Sequence, residues 1–514
     1  MKRICTLLLC AGMLLGAASG AKAIDFKVKG QWLMGFNVAD TSPVHKTRNS
    51  AGVERKHQED KFHAAQRLRL QLDAVASESL SGTVYFEIGT QKWGQASSGG
   101  ALGADSASVI KLKRAYIDWM PPETDLSVRM GIQGIALPNT AGGSAIMDTD
   151  VAGITANYKI NDNMAITALW ARPLNDNYNG YLADGRVDSN RASYLDNLDL
   201  FGLMVPLTFE GYELTPWVMY GMKGKNAMKG IEGFEGFQNG INTADGNLPY
   251  SLYPYPGMTG WSDVGSTSKT YGSLWWAGLP INITAFDPLN IEIDLNYGYA
   301  EEMGKFWTAK TWERQTKHAS TKREGWLAKA LVEYKMDWGV PGILGWYASG
   351  DDDNVKNGSE RMPSLVPMGN FTSFMGDGNM GWIDQDYGID YAGTWGVGIQ
   401  LRDMTFIEDL SHTFRAVYWG GTNSPGMAKY MESAYSWTDG WGSATSPYLT
   451  TEDGLLELNL VNSYQMYENF EINLELDYVF NFMDNDTWKK AGNRNTSFER
   501  QDAWKAQVVF AYSF

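Results

Sequence analysis

The feature that most constrains this chain is a period of two. In IDFKVKGQWLMGFNV (24–38), Phe26, Val28, Trp32, Met34, Phe36 and Val38 share one parity, while Asp25, Lys27, Lys29, Gln31 and Asn37 hold the other. Such alternation predicts a strand with one apolar and one polar face. It recurs in FHAAQRLRLQLDA, where Leu68, Leu70 and Leu72 oppose Arg67, Arg69, Gln71 and Asp73, and in DLSVRMGIQG, LELNLVN and EINLELDYVF. It also closes the chain, with Trp504, Ala506, Val508, Phe510, Tyr512 and Phe514 on one side and Lys505, Gln507 and Ser513 on the other. The second face is rich in Arg, Lys, Glu and Asp. A packed interior could hold that many charges only at a large desolvation cost. The polar face therefore meets bulk water outside a sheet or lines a wet lumen.

The connections discriminate between these two. Short links fall at 77–82, 121–125, 161–163, 209–211, 287–290, 336–341, 407–411 and 467–470, and alternate with long polar ones such as 134–150, 222–270 and 350–390. Loops past about 15 residues are uncommon in compact domains. Short turns at one end and long loops at the other describe an all-β fold, a transmembrane antiparallel β-barrel. Counting hairpins predicts 18 strands, with 16 as the alternative. An even number puts both ends of the chain on the short-turn side, so the last strand can pair with the first. Tyr512 and Phe514 then sit at the interface as the barrel-closing aromatic signal.

The start MKRICTLLLCAGMLLGAASGAKA has a basic n-region, a short apolar stretch and a small-x-small site, so residues 1–23 read as a cleaved signal peptide and 24–514 as one barrel domain. Both cysteines, Cys5 and Cys10, lie in that segment. The rest of the chain has no disulfide, cysteine nucleophile or zinc knuckle. The formal charge of −16 becomes about −19 without the segment, which argues against nucleic acid. No apolar run is long enough for a spanning helix. The 20 Trp and 26 Tyr suit strands and membrane interfaces.

The opening strand after AKA, FHAAQRLRLQLDA, LKRAYIDW (112–119) and the closing VVFAYSF together resemble an outer-membrane porin, and more narrowly the homotrimeric porins of sulfate-reducing bacteria. The resemblance implies passive diffusion of small hydrophilic solutes and ions and a homotrimer in bacterial outer-membrane lipid and lipopolysaccharide. It also implies recognition of the C-terminal aromatic by the barrel assembly machinery, and no cofactor.

A pore selects by radius and lining charge. Parity turns Arg67 and Arg69 inward on the second strand, Arg114 on the fourth and Arg129 on the fifth, a basic stripe on one wall. Ile110 and Leu112 share parity with Arg114, which predicts a bulge upstream of it. By analogy with trimeric porins, the third long loop, GIALPNTAGGSAIMDTDV, folds into the lumen, and its acids Asp148 and Asp150 oppose the stripe. GDDDNVKNGSE (350–360) fails the spacing of a calcium loop. Divalent cations at Asp377, Asp384, Asp386 and Asp390 stay open. No G-x-S-x-G, H-E-x-x-H or P-loop occurs, and no catalytic residue is assigned. The expectation is a diffusion channel with weak cation preference. The alternatives are a saccharide- or organic-acid-selective channel with Trp93, Trp170 and Trp261 as stacking tracks, or a barrel enzyme or adhesion surface.

Overall fold

The computed structural model of the chain describes residues 24–514 except 41–43, 49–53, 57–60, 104–109, 176–196, 225–251, 253–268, 304, 310–315, 374–390, 431–447 and 491–497. The proposed signal segment, Trp261, Asp377, Asp384, Asp386 and Asp390 lie outside the described residues.

The wall is a closed antiparallel barrel of 18 strands. In chain order these are β1 (Asp25–Asp40), β2 (Lys61–Ser77), β3 (Leu80–Lys92), β4 (Ile110–Trp119), β5 (Leu126–Ala136), β6 (Asp148–Asn161) and β7 (Met164–Asn175). β8 runs Asn197–Met204 and resumes at Leu207–Phe209; β9 runs Tyr212–Leu214 and resumes at Trp217–Gly224. They are followed by β10 (Tyr271–Phe286), β11 (Leu289–Ala300), β12 (Arg323–Tyr334), β13 (Val340–Ala348), β14 (Thr394–Ile407), β15 (Leu410–Gly421), β16 (Gly454–Tyr467), β17 (Phe470–Asn481) and β18 (Ala503–Ser513). The breaks in β8 and β9 fall at Pro206 and Pro216, which lack the N–H a ladder needs, yet the Val205 amide still reaches the Pro216 carbonyl at 3.0 Å.

The eight expected short links are the eight tight hairpins, and β18 pairs with β1, Met34 opposite Phe510 and Phe36 opposite Val508. Closure leaves the wall no free edge, the condition for an all-strand structure in lipid. Among the described residues no helix is long and apolar enough to cross a membrane.

The two faces separate as their alternation predicts. On β1, Trp32 and Val38 are exposed while Leu33, Asn37 and Ala39 are buried. The exposed face is layered. Trp119, Tyr158, Phe209, Tyr212, Phe286, Tyr334, Phe406, Tyr467 and Tyr512 project beside the short turns. Aliphatic Leu295, Val332, Ile343, Val397, Ile399 and Leu474 lie further along the strands. Rings return toward the long loops at Trp275, Tyr297, Trp326, Tyr347 and Phe480. An apolar band between two aromatic girdles matches the hydrocarbon layer and its two interfaces.

Several rings rest on a glycine of the next strand: Trp217 on Gly278, Trp346 on Gly396, Trp395 on Gly420. A Cβ at any of these glycines would occupy the ring's place. Most of the buried apolar residues form one large cluster that joins wall strands to parts of the long loops turning into the lumen, and Leu33, Val509 and Ala511 form a second.

Candidate functional site: the lumen

Two of these inward segments are bonded to each other. Residues 137–147, between β5 and β6, meet 362–371, between β13 and β14. The amides of Leu365 and Val366 donate to the Ile146 carbonyl at 2.8 and 3.1 Å, Met368 to Ser144 at 2.8 Å and Asn370 to Gly142 at 3.1 Å. Gly142 and Gly143 hold φ of +68° and +81°, a region unfavourable to residues with a Cβ. A Cβ on Gly142 would come within 2.5 Å of Phe371 and 2.6 Å of the Tyr391 hydroxyl. The pair of segments leans on the β9–β12 wall. Trp217 Nε1 donates to the Pro138 carbonyl at 3.2 Å, Thr140 Oγ1 to Ile293 at 3.0 Å and Trp276 Nε1 to Pro363 at 2.9 Å. Lys329 Nζ donates to the Gly143 carbonyl and the Tyr391 hydroxyl to that of Gly142. The third long loop thus enters the lumen with the carbonyls of Pro138, Gly142, Gly143, Ser144 and Ile146 bonded to the facing segment and the wall.

The early wall carries the predicted arginines, each placed with other polar groups. Arg67 stands opposite Leu33 and Arg69 opposite Gln31, both on the inward face. Arg69 Nε donates to Glu87 Oε2 at 2.9 Å. Arg129 grips Asp118 through Nε at 2.6 Å and Nη2 at 2.9 Å, with its guanidinium 4.1 Å from the centre of the Tyr116 ring. The expected bulge is present: Tyr85 pairs with Arg114 and Phe86 with Leu112, leaving Lys113 as the extra residue. Lys113 Nζ reaches Glu87 at 3.6 Å and Asp150 at 3.3 Å.

Arg114 Nε donates to Asp150 Oδ1 at 2.5 Å. This pair spans from β4 to β6 across Gly134 of β5, where a Cβ would lie 2.6 Å from Arg114 Nη2. β4 and β5 are paired only from Ala115–Ile132 to Trp119–Val128, so the arginine occupies the space above the last rung. Asp150 opposes Gly134 and shares parity with exposed Ile154, so the pair is set in the wall. Asp148 opposes Ala136, is exposed, and donates its amide to the Val366 carbonyl at 2.9 Å. The structure therefore brings Arg114 to Asp150, leaves Arg67, Arg69 and Arg129 on the lumen face, and crosses the lumen with the loop's backbone.

The wall of β11–β18 holds charges that parity identified as polar without revealing their partners. Lys505 Nζ lies 2.7 Å from Glu475 Oε1 and 3.2 Å from Asp477 Oδ2, all three side chains inaccessible to solvent. Gln507 donates to Glu475 and Asn459 to both Glu457 and Asp477. Arg402 and Gln400 converge on Glu333 at 2.5–2.9 Å. Lys329 pairs with Asp294 at 2.9 Å. These acids and bases face one another across strands, a relation that requires register and so is hidden from a strand read alone. Neither wall presents a single sign of charge.

Between Asp118, Ser127, Arg129, Gln133, Thr155, Asn157 and Thr167 lies a cavity of about 550 Å³ opening toward the short-turn end. Trp93 packs edge-on against Phe36 and Trp170 neighbours Phe201, both on the outer face, so neither provides a stacking track along the lumen.

Near the mouth, Asp351 of the acidic fragment is fully buried. It accepts from Ser359 Oγ at 2.5 Å, the Glu360 amide at 3.2 Å and the Tyr448 hydroxyl at 2.7 Å. Burial pushes its carboxyl up from the ordinary value. Glu360 is pushed up to about 7, first by burial and further by the neighbouring Asp351 and Asp352 carboxylates. Among the described residues no three His, Cys, Asp or Glu side chains gather as a metal site.

No protein-family model matches the chain and no curated protein matches it in sequence. Solved structures similar to it include a BenF-like porin from Pseudomonas fluorescens Pf-5, at 9% identity over 95% of this chain and 98% of that one, with a TM-score of 0.47. Acinetobacter baumannii OccAB3 is 9% identical over 95% and 99%, also at 0.47. Pseudomonas aeruginosa OpdQ is 12% identical over 95% and 98%, at 0.45.

Proposed function

We propose that this chain is an outer-membrane porin, a water-filled channel for passive diffusion of small hydrophilic solutes and ions. One observation carries the reading: a closed 18-strand wall with an apolar, aromatic-edged outside and a charged inside. A wall of that kind is stable in a bilayer only if its inner charges meet water or one another. The bonded segments 137–147 and 362–371 narrow the passage. Arg67, Arg69 and Arg129 line it, and the Arg114–Asp150 pair, with Asp148 beside it, braces the wall next to it.

Selectivity follows from radius and lining. The net charge of about −19 that remains without residues 1–23 raises cation concentration at the mouth, and the early-wall arginines oppose it inside, which gives a weak cation preference. Residues 1–23 serve as the export signal, and Tyr512 and Phe514 as the assembly signal. The chain assembles as a homotrimer among outer-membrane lipid and lipopolysaccharide. Single-channel recording of purified protein in a planar bilayer under a salt gradient tests this. Open steps in groups of three with mild cation preference are expected, and silence from folded protein would overturn the reading.

A second reading, a solute-selective channel, is favoured by the cavity around Arg129 and Asp118, where a passing solute would meet paired charges, amides and hydroxyls at once. Saturable block of the ion current by a sugar or an organic acid would distinguish it.

A further inference from the structure

We propose that Lys329 and Asp294 form a latch that sets the bore of the channel by holding the loop at Gly142–Gly143 against the wall. The inference rests on the channel reading and assigns its size limit to particular side chains.

Lys329 of β12 and Asp294 of β11 are opposite each other in register, and their side chains are 0% and 1% exposed. A buried ammonium needs both a counter-charge and acceptors for its remaining protons. Asp294 provides the first at 2.9 Å. The Gly143 carbonyl, at the tip of the inward segment, provides an acceptor, and the Tyr391 ring lies 5.1 Å from the ammonium. The same Tyr391 donates its hydroxyl to the Gly142 carbonyl, so two consecutive loop carbonyls are held from two directions. The Lys505–Glu475–Asp477 group is equally buried, but those three side chains belong to adjoining wall strands. Lys329 instead joins wall to loop. Because 142–146 is bonded to 365–370, release at Gly143 loosens the middle of both segments, while Pro138, Thr140 and Pro363 still tie their ends to the wall.

Two variants reach the latch separately: Lys329→Met, throughout combined with Asp294→Asn so that no unpaired carboxylate stays buried, removes the ammonium, and Tyr391→Phe removes only the hydroxyl. Both should fold as heat-modifiable barrels and conduct roughly twofold more than the parent, while passing larger sugars in liposome swelling, as expected for a wider constriction. A second readout does not depend on conductance. Ala141 is 0% exposed, so with Cys5 and Cys10 replaced by Ser, Ala141→Cys supplies a sole, shielded thiol. A bulky maleimide added from the aqueous side should leave it unmodified in the parent background and modify it in Lys329→Met. Parent-like conductance and sugar limit in both folded variants, or a thiol still shielded in Lys329→Met, overturns the latch. Barrels that never conduct, yet expose the thiol on loss of Lys329, would overturn the channel reading and leave the latch standing.

Discussion

Gly30 and Phe514 exchange both backbone hydrogen bonds, at 2.8 and 3.0 Å, and the phenyl ring of Phe514 lies over the face of Gly30 where a side chain would project. The ring covers a glycine that would otherwise leave a gap in the outer face, a device that stabilises strand pairs. Gly30→Leu should displace the ring and cost about 1–3 kcal/mol through overpacking. The check is the fraction of heat-modifiable barrel after refolding. A fraction equal to the parent's would mean that the ring's seat contributes nothing to closure.

Arg67→Glu combined with Arg69→Glu should strengthen the cation preference. Both arginines face the lumen, and Arg69 is the partner of Glu87, so the change leaves three carboxylates where one was balanced. Reversal potentials under a salt gradient measure the effect. An unchanged potential would place the narrowest part of the path elsewhere.

Lys505→Met should destabilise the barrel strongly. It leaves Glu475 and Asp477 buried beside each other without their shared cation, and removal of one member of a buried ionic group typically costs about 3–5 kcal/mol. Adding Glu475→Gln and Asp477→Asn should recover most of that loss. Urea titration of the refolded variants gives both numbers, and a triple variant no better than the single one would contradict the electrostatic account.

The segment 351–360 should loosen as pH rises. Glu360 is held at about 7 against an ordinary 4.5, so between these values the folded segment keeps a proton that the unfolded one has lost. Its stabilising contribution is complete below about 4.5 and is lost as pH rises through 7. Amide exchange at 351–360, corrected for intrinsic rates, should accelerate between pH 5 and pH 8, and Glu360→Gln should flatten the profile. Equal acceleration in that variant would assign the effect to other groups.

The wall was legible because alternation is a local property. Arg67 beside Leu68 already tells which way each points, and the short links at 77–82 and 467–470 needed no partner to be recognised. What lay beyond the sequence is relational. That Arg114 crosses Gly134 to Asp150 depends on a bulge at Lys113 and on the ladder ending at Ala115–Ile132. That Lys329 holds Gly143 depends on residues 186 apart in the chain. The abundance of glycine and that of aromatics looked like two facts of composition, yet at Trp217–Gly278 and Trp346–Gly396 they are one, each ring needing a bare backbone opposite it.

The bonds between 142–146 and 365–370 bear on how such a molecule is made. Their two sides are separated by β6 to β13, so every one of those eight strands must exist before the first of these bonds can form. Contacts of such long range are late events in folding. Closure of β18 on β1 joins residues farther apart still, Met34 and Phe510, so by the same measure the interior is furnished before the wall is closed, and the passage takes its narrow form before its rim is complete.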